Sequence, residues 1–185
     1  ELARLYKIAN AIGNSLDPEA VLSGALGAFV EQLACSAGAI FLASPDVLPD
    51  EPAVAVPARL GHNPAVQIAA AQLPAHMTAA QWQTFCQTLP QQGRTGGGDT
   101  YLLLPIGDQG MVVLFGCRVA VSPAFVTALT PLLVRLLQAY HNCLQHAELT
   151  SAHRSGMLEN SILRTLLEAT PTVLFALDRE GTFTY

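Results

Sequence analysis

The chain has 185 residues, of which 51% are hydrophobic and 12% charged, with a formal net charge of −5. That length holds one domain of ordinary size plus something shorter, and the apolar share is ample for a buried core. Nucleic acid is argued against as a partner, because phosphate binding needs clustered Lys and Arg and the nine basic residues are scattered. A charged share well below the usual roughly 25% implies a surface covered by small polar residues or by a partner, an oligomer first of all.

No stretch supplies the ~20 continuous apolar residues of a bilayer crossing. The uncharged run between Arg59 and Arg94 is broken by Gln and Pro, and residues 119–134 carry Ser122, Pro123, Thr127, Thr130 and Pro131. The chain begins at Glu1, without a methionine or the basic-then-apolar pattern of a signal peptide. It reads as an excised piece, with no membrane insertion of its own and any anchor of the parent elsewhere. The four cysteines, Cys35, Cys86, Cys117 and Cys143, lie 51, 31 and 26 residues apart with no CxxC pair, so no zinc knuckle or thioredoxin-type motif is present. Each stands in apolar surroundings, where a free Cys behaves as a small hydrophobe. The compartment is read as reducing and cytoplasmic.

In chain order, Leu2, Leu5, Ile8, Ala9 and Ile12 recur at helical spacing, and Gly13-Asn14 stop that helix. Asp17-Pro18 opens a second helix, Asp as N-cap and Pro at the first helical position, with Leu22, Ala25, Leu26, Phe29, Val30 and Leu33 on its apolar face. Residues 37–42 read as a buried strand, 44–52 as an acidic, Pro-rich loop, and Val54, Val56, Ala58 and Leu60 as a second strand of period two. Asn63-Pro64 caps a third helix through Leu73, and Thr78 to Gln81 matches a capping box before a fourth with Trp82, Phe85, Cys86 and Leu89 as its stripe. Residues 91–99, with four glycines, read as a flexible connection.

The clearest sheet signal follows: two apolar runs, 101–106 and 111–115, flank Gly107-Asp108-Gln109-Gly110 as a β-hairpin. Ser122-Pro123 opens a long helix whose Leu133, Leu137, Tyr140, Leu144 and Ala147 step by four and three like a coiled-coil seam. The seam turns polar at residues 151–156, a candidate hinge, and resumes at Leu158, Ile162, Leu166 and Leu167. Residues 173–177 read as a strand, 178–181 as a turn, and 182–185 as the start of another strand.

This order resembles that of the GAF family. Leu5-Tyr-Lys-Ile-Ala-Asn-Ala-Ile12 followed by Ser15-Leu-Asp-Pro-Glu-Ala-Val-Leu22 is similar to the usual GAF opening. Ala37-Gly-Ala-Ile-Phe-Leu42 is similar to the family's first strand, and Leu104-Pro-Ile106 with Gly110-Met-Val-Val-Leu-Phe-Gly116 to its hairpin. The tail, Leu166-Leu-Glu-Ala-Thr-Pro-Thr-Val-Leu-Phe-Ala-Leu-Asp-Arg-Glu-Gly181, resembles the beginning of a PAS domain. The resemblance divides the chain into a GAF-like domain at 1–147, a linker helix at 148–165 and a PAS fragment at 166–185. It implies an α+β fold: an antiparallel sheet with a helical bundle on one face and short helices over a pocket on the other. It also implies a bacterial multi-domain sensor ending in a histidine kinase of a two-component system or a diguanylate cyclase (GGDEF) domain.

The pocket segment would then be residues 60–100, and its candidate lining is His62, His76, Trp82 and Phe85, with Tyr101 beside them. The competing reading is that Trp82, Phe85 and Leu89 fold down and fill the pocket. No cofactor signature of the family is present. Cyclic-nucleotide members carry an Asn-Lys…Phe…Asp-Glu set, but Asp50-Glu51 lies in the loop before the second strand. Cys86 is followed by Gln87, not by the His common in bilin-binding relatives, and haem would need His62 or His76 as an axial ligand. His141 and His146 are five apart on the long helix, unlike an i, i+4 zinc pair. Arg94-Thr-Gly-Gly-Gly-Asp99 lacks the Lys-Ser/Thr ending of a P-loop, and no Ser/His/Asp set can be nominated.

The expected function is a non-catalytic regulatory input module, a homodimer through its terminal helices that binds a small ligand or relays a conformational signal. Its rivals are a structural dimerisation spacer with a dead pocket, and a GAF-fold redox enzyme such as a free methionine sulfoxide reductase.

Overall fold

The local signals at the helix starts act as the residue chemistry requires. Asp17 accepts hydrogen bonds from the Glu19 and Ala20 amides, both at 3.3 Å, and Pro18 begins helix α2 (Pro18–Gln32), packed against α1 (Leu2–Ala11). At the start of α4 (Ala79–Gln87) the capping box is complete. Thr78 Oγ1 accepts from the Gln81 amide at 3.3 Å, and Gln81 Oε1 accepts from the Thr78 amide at 2.7 Å. A computed structural model of the chain describes residues 1–43, 51–57, 63–72, 78–119 and 121–169. The chain divides into two compact units, Glu1–Leu144 and Gln145–Tyr185.

The first unit is built on an antiparallel sheet of β1 (Ala37–Leu42), β2 (Val54–Val56), β3 (Gln91–Arg94), β4 (Thr100–Ile106) and β5 (Gly110–Phe115), in the order β2-β1-β5-β4-β3. Side chains of a strand alternate between faces, and here the alternation divides the core in two. Ile40, Val54, Val56, Leu102, Leu104, Ile106, Val112 and Leu114 face a bundle made by α1, α2 and α5 (Pro123–Ala169). Ala37, Ala39, Phe41, Ala55, Leu103, Met111 and Val113 face α3 (Pro64–Gln72) and α4. The fold is therefore α+β, a GAF-like sheet with the bundle on one face and short helices on the other.

Two glycines position these layers. A Cβ on Gly38 would lie 2.8 Å from Leu26 Cδ1 and 2.9 Å from Val30 Cγ2, so its missing side chain lets α2 lie close on β1. Gly107, at φ +60°, turns the β4–β5 hairpin whose register pairs Ile106 with Gly110.

Asn63 is the fully buried polar residue among those described. Its Oδ1 accepts from the Ala65 amide at 2.9 Å, capping α3, and its Nδ2 donates to the Pro57 carbonyl at 3.1 Å. One side chain thus ties the end of β2 to the start of α3. Asn63→Ala is expected to cost about 1–2 kcal/mol, the cap plus the part-buried bond to the Pro57 carbonyl. Urea unfolding measures it, and a loss below about 0.5 kcal/mol would show that the tie is dispensable.

Two strands differ from the sequence reading. Residues 91–94 are not a flexible connection but edge strand β3, paired with β4 from Gln91↔Leu103 to Arg94↔Thr100. Gln91 and Gly93 are half-buried and Gln92 and Arg94 exposed, and the Tyr101 ring lies across Gly93, where a Cβ would meet it at 2.5 Å. The second strand ends at Val56, while residues 58–62 lie outside the described residues, as do Leu73 and residues 170–185, on which the PAS strands were read. Residues 151–156, where the seam turns polar, are helical as part of α5, in line with the linker helix read there.

By length and composition alone α5 could cross a membrane, since Pro123–Arg154 contains an 18-residue window of mean hydropathy 1.2. Its Phe125, Leu129, Leu133, Leu136 and Cys143 are spent on the bundle-side core. In the second unit α5 continues to Ala169, and the Thr150 and Thr165 hydroxyls donate to the carbonyls one turn back, His146 and Ser161.

Candidate functional site

The sequence reading expects a pocket on the face of the sheet opposite the bundle, where several residues of β1 and β2 are alanines. Ala37, Ala39 and Ala55 leave room above β1 and β2. That room is occupied by Ala65 and Ala69 of α3 and by Trp82 and Cys86 of α4, with Leu89 just beyond it. Trp82 is 2% exposed. Phe85, half-buried, is tilted against it with ring centroids 6.3 Å apart, and Tyr101 joins the same cluster from β4.

Of the five residues picked from the sequence, the structure brings Trp82, Phe85 and Tyr101 together on this face. His62 and His76 lie outside the described residues. The three aromatic residues are cluster members, and Trp82 in particular is a plug between α4 and the sheet. Its indole Nε1 is buried and has no hydrogen-bond acceptor among the described residues. No group of three or more His, Cys, Asp or Glu side chains able to hold a metal ion is found among the described residues.

Cys86 is the nucleophile this face could offer, and its environment disarms it. Burial, with the Asp108 carboxylate adding to it, pushes the thiol up to about 11. The thiolate is the reactive form, and Sγ instead points its weak donor at the Gly110 carbonyl, 3.8 Å away. Cys86 is therefore expected to stay unlabelled by Ellman's reagent at pH 8 in the folded chain and to react fully in denaturant. The raised value keeps its contribution to stability intact below the ordinary value of 9.0 and removes it as pH rises through about 11. Rapid labelling of native Cys86 near neutrality would contradict this account.

The other three cysteines were read as free small hydrophobes. Cys143 fits, buried with Sγ donating to the Ser15 carbonyl at 3.5 Å. Cys35 and Cys117 do not: they are joined as a disulfide across 82 residues of sequence, with Cα atoms 3.9 Å apart. The sheet explains the meeting. Ala37 pairs with Phe115 in the β1–β5 register, so Cys35 and Cys117 face each other two residues beyond the ladder. Sequence spacing alone carries no trace of that.

A second concavity, of about 270 Å³, opens on the bundle side between β3 and the start of α5. Pro90, Gln91, Gln92, Leu102, Pro123, Val126 and Thr127 line it, without a charged group.

No protein-family model matches the chain, and no curated protein sequence matches it. Among solved structures, the chain is similar to the GAF domain of a proposed sensor histidine kinase from Pseudomonas syringae pv. tomato. The two share 19% identity at a TM-score of 0.50, over 82% of this chain and 93% of that one. The GAF domain of an Acinetobacter phosphoenolpyruvate-protein phosphotransferase aligns at 14% identity and a TM-score of 0.43, over 78% and 94% of the two chains. The GAF domain of the potassium sensor histidine kinase KdpD from Escherichia coli aligns at 19% and 0.36, over 82% and 99%. At such identities the first of these likenesses speaks for the architecture, and it agrees with the sheet order and the two-sided packing described above. The chain has the GAF fold.

Proposed function

We propose that this chain is a regulatory module of a bacterial signal-transduction protein, acting as a homodimer through α1 and α5 and relaying a conformational change along α5. One observation carries the reading. The large apolar side chains left exposed among the described residues are concentrated on those two helices: Leu2 and Tyr6 on α1, and Val134, Leu144, Leu149 and Met157 on α5. Leu2 is 82% and Tyr6 67% exposed, apolar surface that in a chain so poor in charge favours cover by a partner.

Contacts near both ends of α1 support the reading. Ser122 Oγ donates to Glu1 Oε1 at 3.2 Å at one end, and Cys143 meets the Ser15 carbonyl at the other, so α1 and α5 run side by side in the same direction. The expected seam shifts, however. Leu133 is buried in the chain's own core and Leu137 and Tyr140 pack half-buried against it, while the outward side carries Val134 and Leu144 with His141 between them. Burying such a stripe against a symmetry mate contributes several kcal/mol at ~25 cal/mol per Å2.

The test is the oligomeric state by light scattering. The wild-type chain is expected to be dimeric, and Tyr6→Glu with Val134→Glu monomeric, with dissociation strengthened by about 100-fold or more (~3 kcal/mol). Both sites are exposed, so monomer stability should change by no more than about 0.5 kcal/mol. A wild-type chain that stays monomeric at high micromolar concentration would sink the proposal.

In this reading the module is cytoplasmic, and residues 166–185 begin a PAS domain of a sensor whose output is a histidine kinase or a diguanylate cyclase. A spacer with a dead pocket is the second reading, favoured by the Trp82 plug. Thermal-shift screening with cyclic nucleotides, tetrapyrroles and small organic acids separates them: saturable stabilisation identifies a ligand sensor, and its absence the relay or spacer.

A further inference from the structure

The Cys35–Cys117 pair lies where the sheet hands the chain on to α5. Cys35 follows the end of α2, where its amide donates to the Val30 carbonyl at 2.8 Å and the Ala34 amide to the Glu31 carbonyl at 3.1 Å. Those are the two bonds of a Schellman cap, and Ala34 takes the left-handed position at φ +49°. Cys35 is thus held by a helix terminus, not by a loop.

Cys117 is held more loosely. Its carbonyl accepts from Thr100 Oγ1 at 2.8 Å, the Gly116 amide donates to the Thr100 carbonyl at 2.7 Å, and the Arg118 amide reaches the Ala34 carbonyl at 3.3 Å. Five residues on, Ser122 Oγ accepts from the Phe125 amide at 3.1 Å as the first turn of α5 forms. Gly116, at φ +63°, passes over Ser36, whose Oγ would meet a Cβ there. The Ser36 amide and hydroxyl both donate to the Phe115 carbonyl, at 2.9 and 3.1 Å.

Both sulfurs belong to half-buried residues at the rim of the bundle-side core, and Cys86 and Cys143 are buried elsewhere. A disulfide open to small thiols is the labile kind, whereas a fully buried one is shielded from exchange. In the reducing cytoplasm of the proposed function, a location on which the redox role rests, a pair so placed is regulatory, not permanent.

We propose that Cys35 and Cys117 form a reversible thiol–disulfide site through which the module reads the thiol poise of its compartment, the bond fastening the start of α5 to the α2–β1 corner. The oxidant is a low-molecular-weight disulfide of the glutathione class. One cysteine thiolate attacks it, expelling one glutathione thiolate and leaving a mixed disulfide, and the second cysteine thiolate then displaces the other glutathione. The two cysteine thiols lose two electrons and two protons, and one glutathione disulfide becomes two glutathione thiols. Excess glutathione runs the steps backwards. The site does not depend on the proposed dimer, because both cysteines belong to one chain.

The test equilibrates the purified chain across mixtures of reduced and oxidised glutathione, quenches it with acid, and labels the remaining thiols with a maleimide for mass spectrometry. Cys35 and Cys117 are expected to become protected together in one two-electron step within the range of those mixtures, as a linked peptide pair, while Cys86 and Cys143 stay thiols. The oxidised chain should melt about 5–10 °C above the reduced one, and Cys35→Ser and Cys117→Ser should each abolish the difference. Hydrogen exchange at the Arg118 and Phe125 amides should slow on oxidation. A pair that stays reduced in the most oxidising mixture, or stays bonded in the most reducing one, overturns the redox site. Melting that shifts with unchanged exchange at Arg118 and Phe125 overturns the link to α5.

Discussion

Trp82→Ala is expected to lower the stability of the folded chain by about 3–5 kcal/mol, and millimolar indole to restore part of the loss. The side chain is 2% exposed, and the buried cluster it belongs to includes Ala37, Ala39, Phe41 and Met111 on the sheet and Ala65 and Ala69 of α3. These neighbours are short or already committed, so the site cannot collapse onto the vacancy, and the cavity term adds in full to the lost transfer energy. An apolar cavity of that origin stays dry and takes up a small aromatic of matching shape. Trp82→Phe separates packing from polarity. With no acceptor for Nε1 among the described residues, deleting the N–H should cost no more than about 1 kcal/mol beyond the volume change. If Trp82→Phe proved as damaging as Trp82→Ala, the indole N–H would have a partner that matters. If Trp82→Ala cost under about 1 kcal/mol, Trp82 would not be the plug described.

The second large effect is expected at Gly38. Gly38→Val should destabilise by about 2–3 kcal/mol, at the upper end of overpacking. The added Cβ alone would press on Leu26 Cδ1 at 2.8 Å, Val30 Cγ2 at 2.9 Å and Leu114 Cδ2 at 3.2 Å. Two of these belong to α2, which also packs on α1 and β2, so the helix cannot retreat without opening the bundle. Combining Gly38→Val with Val30→Ala should recover more than 1 kcal/mol relative to the sum of the single changes, the coupling expected of groups competing for one space. Strict additivity in that double-mutant cycle would show that the cost at Gly38 comes from backbone preference, not from the approach of α2.

How far these features can be read in the sequence depends on how local their causes are. The Asp17-Pro18 start and the Thr78–Gln81 box are written in three or four adjacent residues, and the structure forms both as read. The β4–β5 hairpin is equally local, since two apolar runs flank a turn that needs Gly107. Residues 91–94 were legible only after the fold. Gln91-Gln92-Gly93-Arg94 has no β-branched or apolar side chain, and its strand character comes from β4 lying beside it and from Tyr101 covering the glycine. The candidate site divides the same way. Trp82, Phe85 and Cys86 follow from the helical stripe they form, but that the stripe fills the pocket depends on the alanines of β1, β2 and α3 opposite. Cys35 and Cys117 could not be paired from spacing, because their meeting depends on β1 lying next to β5. The α5 seam shows the limit most plainly. A four-three step identifies a stripe, but which stripe the protein's own core takes up depends on how the helix is rotated against the sheet.

The strand order has a consequence for how the molecule is made. β1 lies between β2 and β5, with β5 at the centre of the sheet, and its pairing with β5 joins residues such as Ile40 and Val112 that are far apart in the chain. During synthesis the β1–β2 pair can form early, but the other edge of β1 has no partner until residues 110–115 leave the ribosome. The nascent chain therefore carries an open, apolar strand edge through the synthesis of α3, α4, β3 and β4, the kind of edge that invites pairing with another chain. Closure of the sheet is a late, long-range event, which places this module among the slower folders, on the order of milliseconds to seconds, and makes the interval before β5 emerges its period of greatest exposure to misassembly.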